Sequence, residues 1–307
     1  MLDQPQSWDT NRVNPFIQAT EALTLAGVGA LCYGLAEAQA FSVRHSTLQD
    51  PNFTFDELRI LHLSDLHITP AQTRKINWVK SLSELKPDLT VVTGDFLAHV
   101  QAVPAVIEAL DTLLDGPGMF VFGSNDYFAP EFKNPMTYFN KSREINPQGV
   151  GLPTEELRAE LTAAGWIDLN NRHEFTTVHG VAIDARGTDD PHIHKDNYST
   201  IAGPYRADAL RLGVTHAPYL RVLNQFVADD TQVILAGHTH GGQVCIPFYG
   251  ALVTNCDLPA KLAKGSSEIS YQGKSSALHV SAGVGTSPFT PIRIACRPEA
   301  TLLTLKK

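Results

Sequence analysis

Cysteine is scarce in this chain, and the cysteines that are present lie far apart. Only four occur among 307 residues, and no two of them form a Cys-x-x-Cys pair. A disulfide framework is therefore not expected, because it needs a dense set of paired thiols. We expect reduced thiols and a cytoplasmic protein. The cysteines are Cys32, Cys245, Cys256 and Cys296.

Runs of positive charge are also missing. The chain has 24 Lys and Arg against 32 Asp and Glu, for a formal net charge of −8, and no basic cluster is longer than a pair. Nucleic-acid-binding domains usually carry a basic patch that contacts phosphates, so we expect no nucleic-acid partner. The hydrophobic content of 43% is typical of a folded globular chain.

No uncharged apolar run reaches the roughly 20 residues that are needed to cross a bilayer. The nearest is residues 22–36, and the acidic residues ahead of it are unlike the basic start of a signal peptide. We predict an N-terminal segment, residues 1–57, that contains an apolar helix at about residues 15–40. This helix either packs on the body or contacts a membrane surface, and the second alternative makes the protein peripheral on the inner membrane face.

Apolar runs alternate with helical patterns from residue 58 onward. Strands are predicted at Leu58–Ser64, Leu89–Val92 and Met119–Phe122, and amphipathic helical segments separate them. This β-α-β alternation predicts an α/β fold with a parallel sheet. Ligands of such sheets bind beyond the carboxyl ends of the strands, which is where polar residues follow each run.

Two further strands, Leu210–Val214 and Val233–Ala236, also end in polar residues. Shorter alternating segments near the C-terminus predict a second sheet, and no linker or repeat divides residues 58–307, which we treat as one domain. The segments are Gln243–Pro247, Leu278–Ala282, Ile292–Cys296 and Thr301–Leu305.

Five strand ends carry residues that can bind metals. The last has two histidines at positions i and i+2, whose side chains lie about 7 Å apart on an extended backbone and can serve one ion or two adjacent ions. Carboxylate, imidazole and amide groups together favour Mn, Fe(II), Zn or Co. The strand-end residues are Asp65 with His67, Asp95, Asn125 with Asp126, His216, and His238 with His240.

The order of these motifs resembles the pattern of the calcineurin-like metallophosphoesterases over about residues 58–305. The stretches Ala236–Gln243 and Ser281–Phe289 look like the branch that holds membrane-associated phosphodiesterases and UDP-diacylglucosamine pyrophosphatases. The resemblance implies a four-layer α/β/β/α sandwich, to which the apolar N-terminal helix is an addition.

The resemblance also implies a centre of two divalent cations, with Mn, Fe or Zn expected, in which a metal-bound hydroxide attacks phosphorus. One carboxylate with two oxygens is suited to bridge the two cations. The implied ligands are Asp65, His67 and His240 for the first cation, Asp95 as the bridge, and His216 and His238 for the second.

The third strand end departs from the family pattern. Ser124 stands where the family has an Asn ligand, and Asn125 stands where it has a His. We interpret Asn125 as a ligand of the second cation through its amide oxygen, and Asp126 as a residue that anchors the tip or orients a neighbouring histidine. His99 or His192 is then the candidate general acid, although a leaving group of low pKa needs none.

A long aromatic and Pro/Asn-rich segment, residues 127–153, is a candidate for contact with substrate. Within it, Lys133 and Arg143 either meet a substrate phosphate or are solvated.

These observations together predict a binuclear metal-dependent phosphoesterase that cleaves a phosphodiester or pyrophosphate bond. A membrane-linked substrate and a nucleotide sugar both fit. The alternatives are a cytosolic nucleotide or cyclic-nucleotide phosphodiesterase, and a metal-binding regulatory protein with little turnover. The sequence leaves the oligomeric state open.

Overall fold

A computed structural model describes residues 15–130 and 149–307. Most of the segment 127–153, including Lys133 and Arg143, lies outside the described residues, as do residues 1–14.

Six strands form the first sheet. Their bounds are Ser42–Gln49 (β1), Glu57–Leu63 (β2), Leu89–Thr93 (β3), Gly118–Val121 (β4), Ile167–Asp168 (β5) and Glu299–Lys306 (β14). They lie in the order β1-β14-β2-β3-β4-β5. The strands from β2 to β5 are parallel, whereas β14 is antiparallel to β2 and parallel to β1.

Six more strands form the second sheet. Their bounds are Arg172–Val178 (β6), Val181–Gly187 (β7), Leu210–Val214 (β8), Val233–Ala236 (β9), Gly265–Tyr271 (β12) and Lys274–Val280 (β13). They lie in the order β12-β13-β9-β8-β7-β6, with antiparallel pairs at the two edges and parallel pairs between them. A separate hairpin pairs Cys245–Ile246 (β10) with Gly250–Ala251 (β11).

The described α-helices supply the outer layers and one N-terminal addition. Their bounds are Pro15–Glu37 (α1), Thr73–Ser81 (α2), Val103–Leu110 (α3), Ser124–Tyr127 (α4), Thr154–Ala163 (α5) and Leu220–Ala228 (α6). By length and composition, residues 16–37 of α1 suffice to cross a membrane, and only 6% of the apolar stretch within them is buried. The helix is thus longer than the uncharged run that the sequence shows.

Buried apolar side chains divide the domain into four layers. Between the two sheets, Ile60 and Val91 of the first sheet lie in one cluster with Leu212 and Leu235 of the second. A second cluster joins the outer face of the first sheet to α2, α3 and α5, and a third joins the second sheet to α6. Strand side chains point alternately to the two faces, so each sheet can pack on a helix layer and on the other sheet. The predicted α/β/β/α sandwich is confirmed.

Three details of the strand prediction are wrong. Residues 301–305 belong to the first sheet, because β14 pairs with β1 and β2. Residues 243–247 form the short β10 and one isolated bridge, between Val244 and Ile294, and that bridge is the strand pairing made by residues 292–296. Strand β1 was not predicted and lies within residues 1–57. The division at residue 58 stays a prediction, although the sheet extends back to Ser42.

Candidate metal centre

Four ligand-type side chains meet where β2, β3 and β9 end. Ligand atoms of Asp65, His67, Asp95 and His240 all lie within 4.8 Å of one another. His67 Nε2 lies 3.3 Å from His240 Nε2 and 3.5 Å from Asp95 Oδ2. His240 Nε2 lies 3.4 Å from Asp65 Oδ1. This group is the set that the sequence resemblance implies for the first cation, with the bridging carboxylate included.

A second group adjoins the first through Asp95. His216 Nε2 lies 3.5 Å from Asp95 Oδ2 and 3.3 Å from His238 Nδ1. Asn125 contacts the same carboxylate, since its backbone N–H donates to Oδ1 and its side-chain Nδ2 donates to Oδ2, both at 2.8 Å. Asp95 therefore lies between the cluster that holds His67 and the pair formed by His216 and His238.

Backbone carbonyls fix which ring nitrogen of three histidines faces the centre. His216 Nδ1 donates to Thr93 O at 2.6 Å, and His240 Nδ1 lies 3.2 Å from Gly285 O. His238 Nε2 lies 3.3 Å from Asn255 O. A carbonyl only accepts, so the nitrogen that faces it carries the proton and the other ring nitrogen keeps its lone pair. This arrangement is typical of histidines that bind metals.

The polar atoms of the first group also fit a cation. Among the described residues, Asp65 Oδ1 is buried without a hydrogen-bond partner, and such an oxygen is costly unless something positive meets it. Burial and neighbouring histidines hold the pKa of His67 and His238 well below the usual range, which keeps both rings neutral. Burial lowers the pKa of His216, but Asp95 and further carboxylates outweigh it and raise that pKa to about 9. The negative charge around this ring would favour a cation too, and a cation that bound Nε2 would displace the proton there.

The ligand-bearing turns depart from ordinary backbone geometry. Asp65, His67, Asp95, His238 and His240 all have φ between 43° and 70°, in the left-handed region that side chains other than glycine seldom adopt. These turns redirect the chain directly after each strand. Five such residues in one site indicate a functional constraint on the backbone.

Two glycines permit the close packing of these turns. A Cβ at Gly123 would overlap Asp95 Oδ1 and would lie 2.6 Å from His216 Nε2. A Cβ at Gly237 would overlap Ser64 Oγ and would lie 2.9 Å from Asp65 Oδ2. Both positions therefore require a residue without a side chain.

Asp126 joins the turns after β3 and β4. Its Oδ2 accepts from the backbone N–H of Asp95 and of Gly123, at 2.8 and 2.9 Å, and its Oδ1 accepts from those of Phe96 and Leu97. Burial and the nearby Asp95 raise the pKa of Asp126 to about 8, while the backbone N–H donors lower it. The structure therefore shows Asp126 as an anchor of the tip that carries Asn125.

The two candidate acids occupy different surroundings. His99 is exposed, and its Nδ1 accepts from the backbone N–H of Gln101. His192 is buried, with its ring centroid 4.3 Å from that of His238 and its Nδ1 3.0 Å from the hydroxyl of Tyr219. The structure thus brings His192 to the second group and leaves His99 at the surface.

Sequence reasoning missed two buried residues next to the centre. Asp190 follows β7, and its Oδ2 has no hydrogen-bond partner among the described residues; burial raises its pKa to about 7. Lys75 of α2 donates to the carbonyls of Leu66 and His67, and burial lowers its pKa to about 7. Only Asp190 had a signal in the sequence, because it lies in a polar stretch after a strand.

A third missed residue is Arg293, a fully buried guanidinium. Its Nη2 donates to the carbonyls of Gly283 and Gly285 at 3.0 and 2.7 Å, and its Nη1 donates to those of Ala282 and His240 at 2.9 and 3.3 Å. Gly285 O is also the carbonyl that faces His240 Nδ1. Arg293 therefore holds together the two turns that orient His240.

The same segment receives the end of α1. The Glu37 carboxylate accepts from the backbone N–H of Ala295 and of Cys296, both at 2.9 Å. The backbone N–H of Arg293 donates to Gly34 O at 3.0 Å. The N-terminal helix is thus bonded to the segment that supports His240.

Comparison with known proteins gives one family and several relatives. The family model described as "Calcineurin-like phosphoesterase" matches residues 58–242, more than half of the chain. YkuE of Bacillus subtilis, an uncharacterized metallophosphoesterase, is 25% identical over 261 residues, which are 82% of this chain and 80% of YkuE. YkoQ of the same organism, also an uncharacterized metallophosphoesterase, is 28% identical over 253 residues, 80% of this chain and 82% of YkoQ.

A longer relative combines this domain with membrane segments. The bovine "Transmembrane protein with metallophosphoesterase domain" is 24% identical over 272 residues, which are 82% of this chain but 54% of the bovine protein. These relatives match most of this chain.

Proposed function

Because the chain belongs to the calcineurin-like phosphoesterase family, we propose that it hydrolyses a phosphodiester or pyrophosphate bond with two divalent cations. Mn, Fe and Zn suit the mixed carboxylate and imidazole donors. Asp65, His67 and His240 would hold the first cation, and His216 and His238 would hold the second.

The position of Asp95 carries this proposal. Its Oδ2 lies 3.5 Å from His67 Nε2 in one group and 3.5 Å from His216 Nε2 in the other. A carboxylate in that position can bind two cations that are about 3.5–4 Å apart, as in two-metal hydrolytic sites. The pair of buried imidazoles on the far side of this carboxylate, His216 and His238, supports a second cation.

Asn125 is the proposed neutral ligand of the second cation. Its amide contacts Asp95 Oδ2 at 2.8 Å. A half-turn of the amide exchanges Nδ2 for Oδ1 at nearly the same place, so the side chain can present an oxygen to the second cation. Asp126 keeps the backbone of Asn125 in position through its bonds to the two turns.

The bound cations would polarise the phosphoryl oxygens and activate a water molecule. The chain itself binds and orients them, because His216, His238 and His240 each keep one ring nitrogen on a backbone carbonyl. Buried neighbours exclude water from the back of the site. No protein nucleophile is required for attack on phosphorus.

His192 is the proposed proton donor to the leaving group, in place of the family histidine whose position Asn125 holds. The position of the His192 ring beside that of His238, with the ring planes tilted by 52°, and its contact with the Tyr219 hydroxyl support this role. A general acid contributes most when the leaving group is a poor one.

The exposed apolar helix α1 supports membrane association, which fits a membrane-linked substrate held at the inner face. A nucleotide sugar fits the same chemistry. Asn125 stands where the family has a histidine. This difference favours one other function, a metal-loaded regulatory protein with little turnover.

Metal content and hydrolysis test the proposal. The purified protein should contain about two divalent cations per chain and should hydrolyse bis(p-nitrophenyl) phosphate with added Mn. Asp95→Asn should lower the rate at least about 100-fold, because it weakens both cation sites. Asp208→Asn, at an exposed carboxylate paired with Arg206, is the matched control and should change neither readout.

A further variant separates the role of the acid. His192→Gln should reduce hydrolysis of alkyl diesters more than that of nitrophenyl diesters. A wild type with two cations that cleaves no diester or nucleotide sugar would support the regulatory alternative. A metal content near zero after gentle purification would contradict the site itself.

A further inference from the structure

Large exposed apolar side chains of the described residues are concentrated on α1 and on segments beside its C-terminal end. Most lie on α1 itself, on residues 244–252 or at Phe289, whereas the others occur singly. Contiguous exposed apolar surface is uncommon in proteins that meet only water, and it marks contact with membranes or other proteins. We define the apolar rim as the side chains of Val244, Ile246, Phe248, Tyr249, Leu252 and Phe289.

Hydrogen bonds and packing place the apolar rim beside the end of α1. Val244 bridges Ile294, and the side chain of Gln243 donates to the carbonyls of Thr290 and Ile292. Ile292 also packs on α1, since a Cβ at Gly34 would lie 3.2 Å from it. The hairpin formed by β10 and β11 therefore stands beside the point at which the helix enters the body.

The fully exposed Phe248 lies at the tip of that hairpin. Tyr249 follows it and lines a cavity of about 480 Å³ together with Lys261, Lys264 and small residues that include Gly241. Aromatic side chains beside lysines are typical of the lipid–water interface, where rings meet acyl chains and ammonium groups meet anionic headgroups. Gly241 directly follows His240, so this cavity borders the loop that carries a metal ligand.

We propose that the apolar rim is a second membrane-contact surface, with the tip of the hairpin inserted into the interface of a lipid bilayer that α1 enters. The occupant is a bilayer because the rim stands beside the end of α1, and α1 is long and apolar enough to cross one. The contact fixes the orientation of the domain, so that the His240 loop faces the membrane surface. The binding step is independent of the proposed hydrolysis; only its effect on substrate access rests on the proposed function.

Tryptophan fluorescence in vesicles tests the contact. The full-length chain with Phe248→Trp is reconstituted in phosphatidylcholine–phosphatidylglycerol vesicles, and the emission of wild type is subtracted. The emission of the new tryptophan should shift to shorter wavelength and should be quenched by brominated acyl chains. Phe175→Trp, at an exposed phenylalanine of β6 in the edge strand of the second sheet, is the matched control and should show neither effect.

Two outcomes would overturn the proposal. One is quenching at position 248 that does not exceed quenching at position 175. The other is a concentration-dependent blue shift without vesicles, which would make a second copy of the chain the occupant of the rim.

Activity provides a separate readout. Phe248→Ser should leave hydrolysis of a dissolved diester unchanged. It should raise the KM for a vesicle-borne phosphodiester about tenfold, as expected when one aromatic ring no longer enters the bilayer. An unchanged KM for the vesicle substrate would overturn the orienting role. Quenching at position 248 in a protein that cleaves nothing would support the contact and refute the proposed hydrolysis.

Discussion

Five of the seven residues that we propose as cation ligands have a backbone in the left-handed region. Each such residue costs on the order of 1 kcal/mol or more, and the surrounding structure must offset that cost. Part of the compensation is visible: Asp95 N–H donates to Asp126, and His238 N–H donates to Asp65 Oδ2 at 3.0 Å. The clustering of these side chains at one edge could be predicted from the sequence, because each one follows an apolar strand; their role as ligands stays a prediction. Their strained turns could not, because the motifs contain no signal for φ.

A buried histidine pair gives a pH-dependent prediction at this scale. His279 Nδ1 lies 3.0 Å from His62 Nδ1, and burial, with a contribution from Arg44, lowers the pKa of His279 to about 4. The unfolded chain binds a proton here below about pH 6.5, whereas the folded chain does not. The group therefore stabilises the fold above pH 6.5, and lowering the pH towards 4 should remove up to about 3 kcal/mol from the free energy of unfolding.

Urea unfolding with EDTA between pH 7 and 4 measures this effect. His279→Gln keeps a hydrogen-bonding group and removes the titration, so its stability should fall less steeply with decreasing pH. The exposed His45 gives the matched variant His45→Gln, which should keep the wild-type slope. Equal slopes for all three proteins would contradict the assignment.

At the scale of elements, strands β2, β3, β4, β8 and β9 could be predicted because they are short, apolar and buried on both faces. Strand β1 could not, because its sequence SVRHSTLQ is polar and its side chains are half-buried or exposed. Strand β14 alternates polar and apolar residues, a pattern that does not tell which sheet it joins. Arg293 was missed for a related reason: only its partners, carbonyls from distant segments, reveal its role.

The segment around Arg293 gives a prediction for the metal centre. Arg293→Lys keeps the charge but loses the fork that binds several carbonyls at once. The turns that orient His240 should loosen, and metal affinity should fall by about tenfold or more, as for other supports of metal ligands. A calorimetric titration with Mn measures the change in metal affinity.

Arg186 supplies the control. It is equally buried, and its guanidinium binds Gly203 O, Pro204 O and Asp229. Arg186→Lys should lower the free energy of unfolding about as much as Arg293→Lys does, but it should leave metal affinity unchanged. Parallel losses of metal affinity in both variants would show that Arg293 acts only through general stability.

For the whole molecule, the sandwich fold was predictable from the strand–helix alternation and the family resemblance, whereas the placement of α1 was not. The helix projects exposed apolar side chains over most of its length, yet its end is bonded to the body through Gly34 and Glu37. The helix and the phosphoesterase domain are therefore connected by hydrogen bonds, which the predicted boundary at residue 58 does not express.

A truncation tests the anchor without disturbing that connection. Removal of residues 1–30 keeps Gly34 and Glu37, so the domain should remain folded with unchanged metal content. The truncated protein should move from the membrane fraction to the soluble fraction after lysis, whereas the full chain should need detergent. Unchanged partition of the truncated protein would show that residues 1–30 are not needed for membrane binding, and combining the truncation with Phe248→Ser would then tell whether the apolar rim holds the protein there.

Gly123 and Gly237 have a consequence for how this protein can vary. A methyl group at Gly123 would collide with Asp95 and His216, and one at Gly237 would crowd Asp65. A side chain at either glycine would displace a proposed ligand that lies elsewhere in the sequence. We therefore expect that a substitution at either glycine is tolerated only together with a change in the side chain beside it.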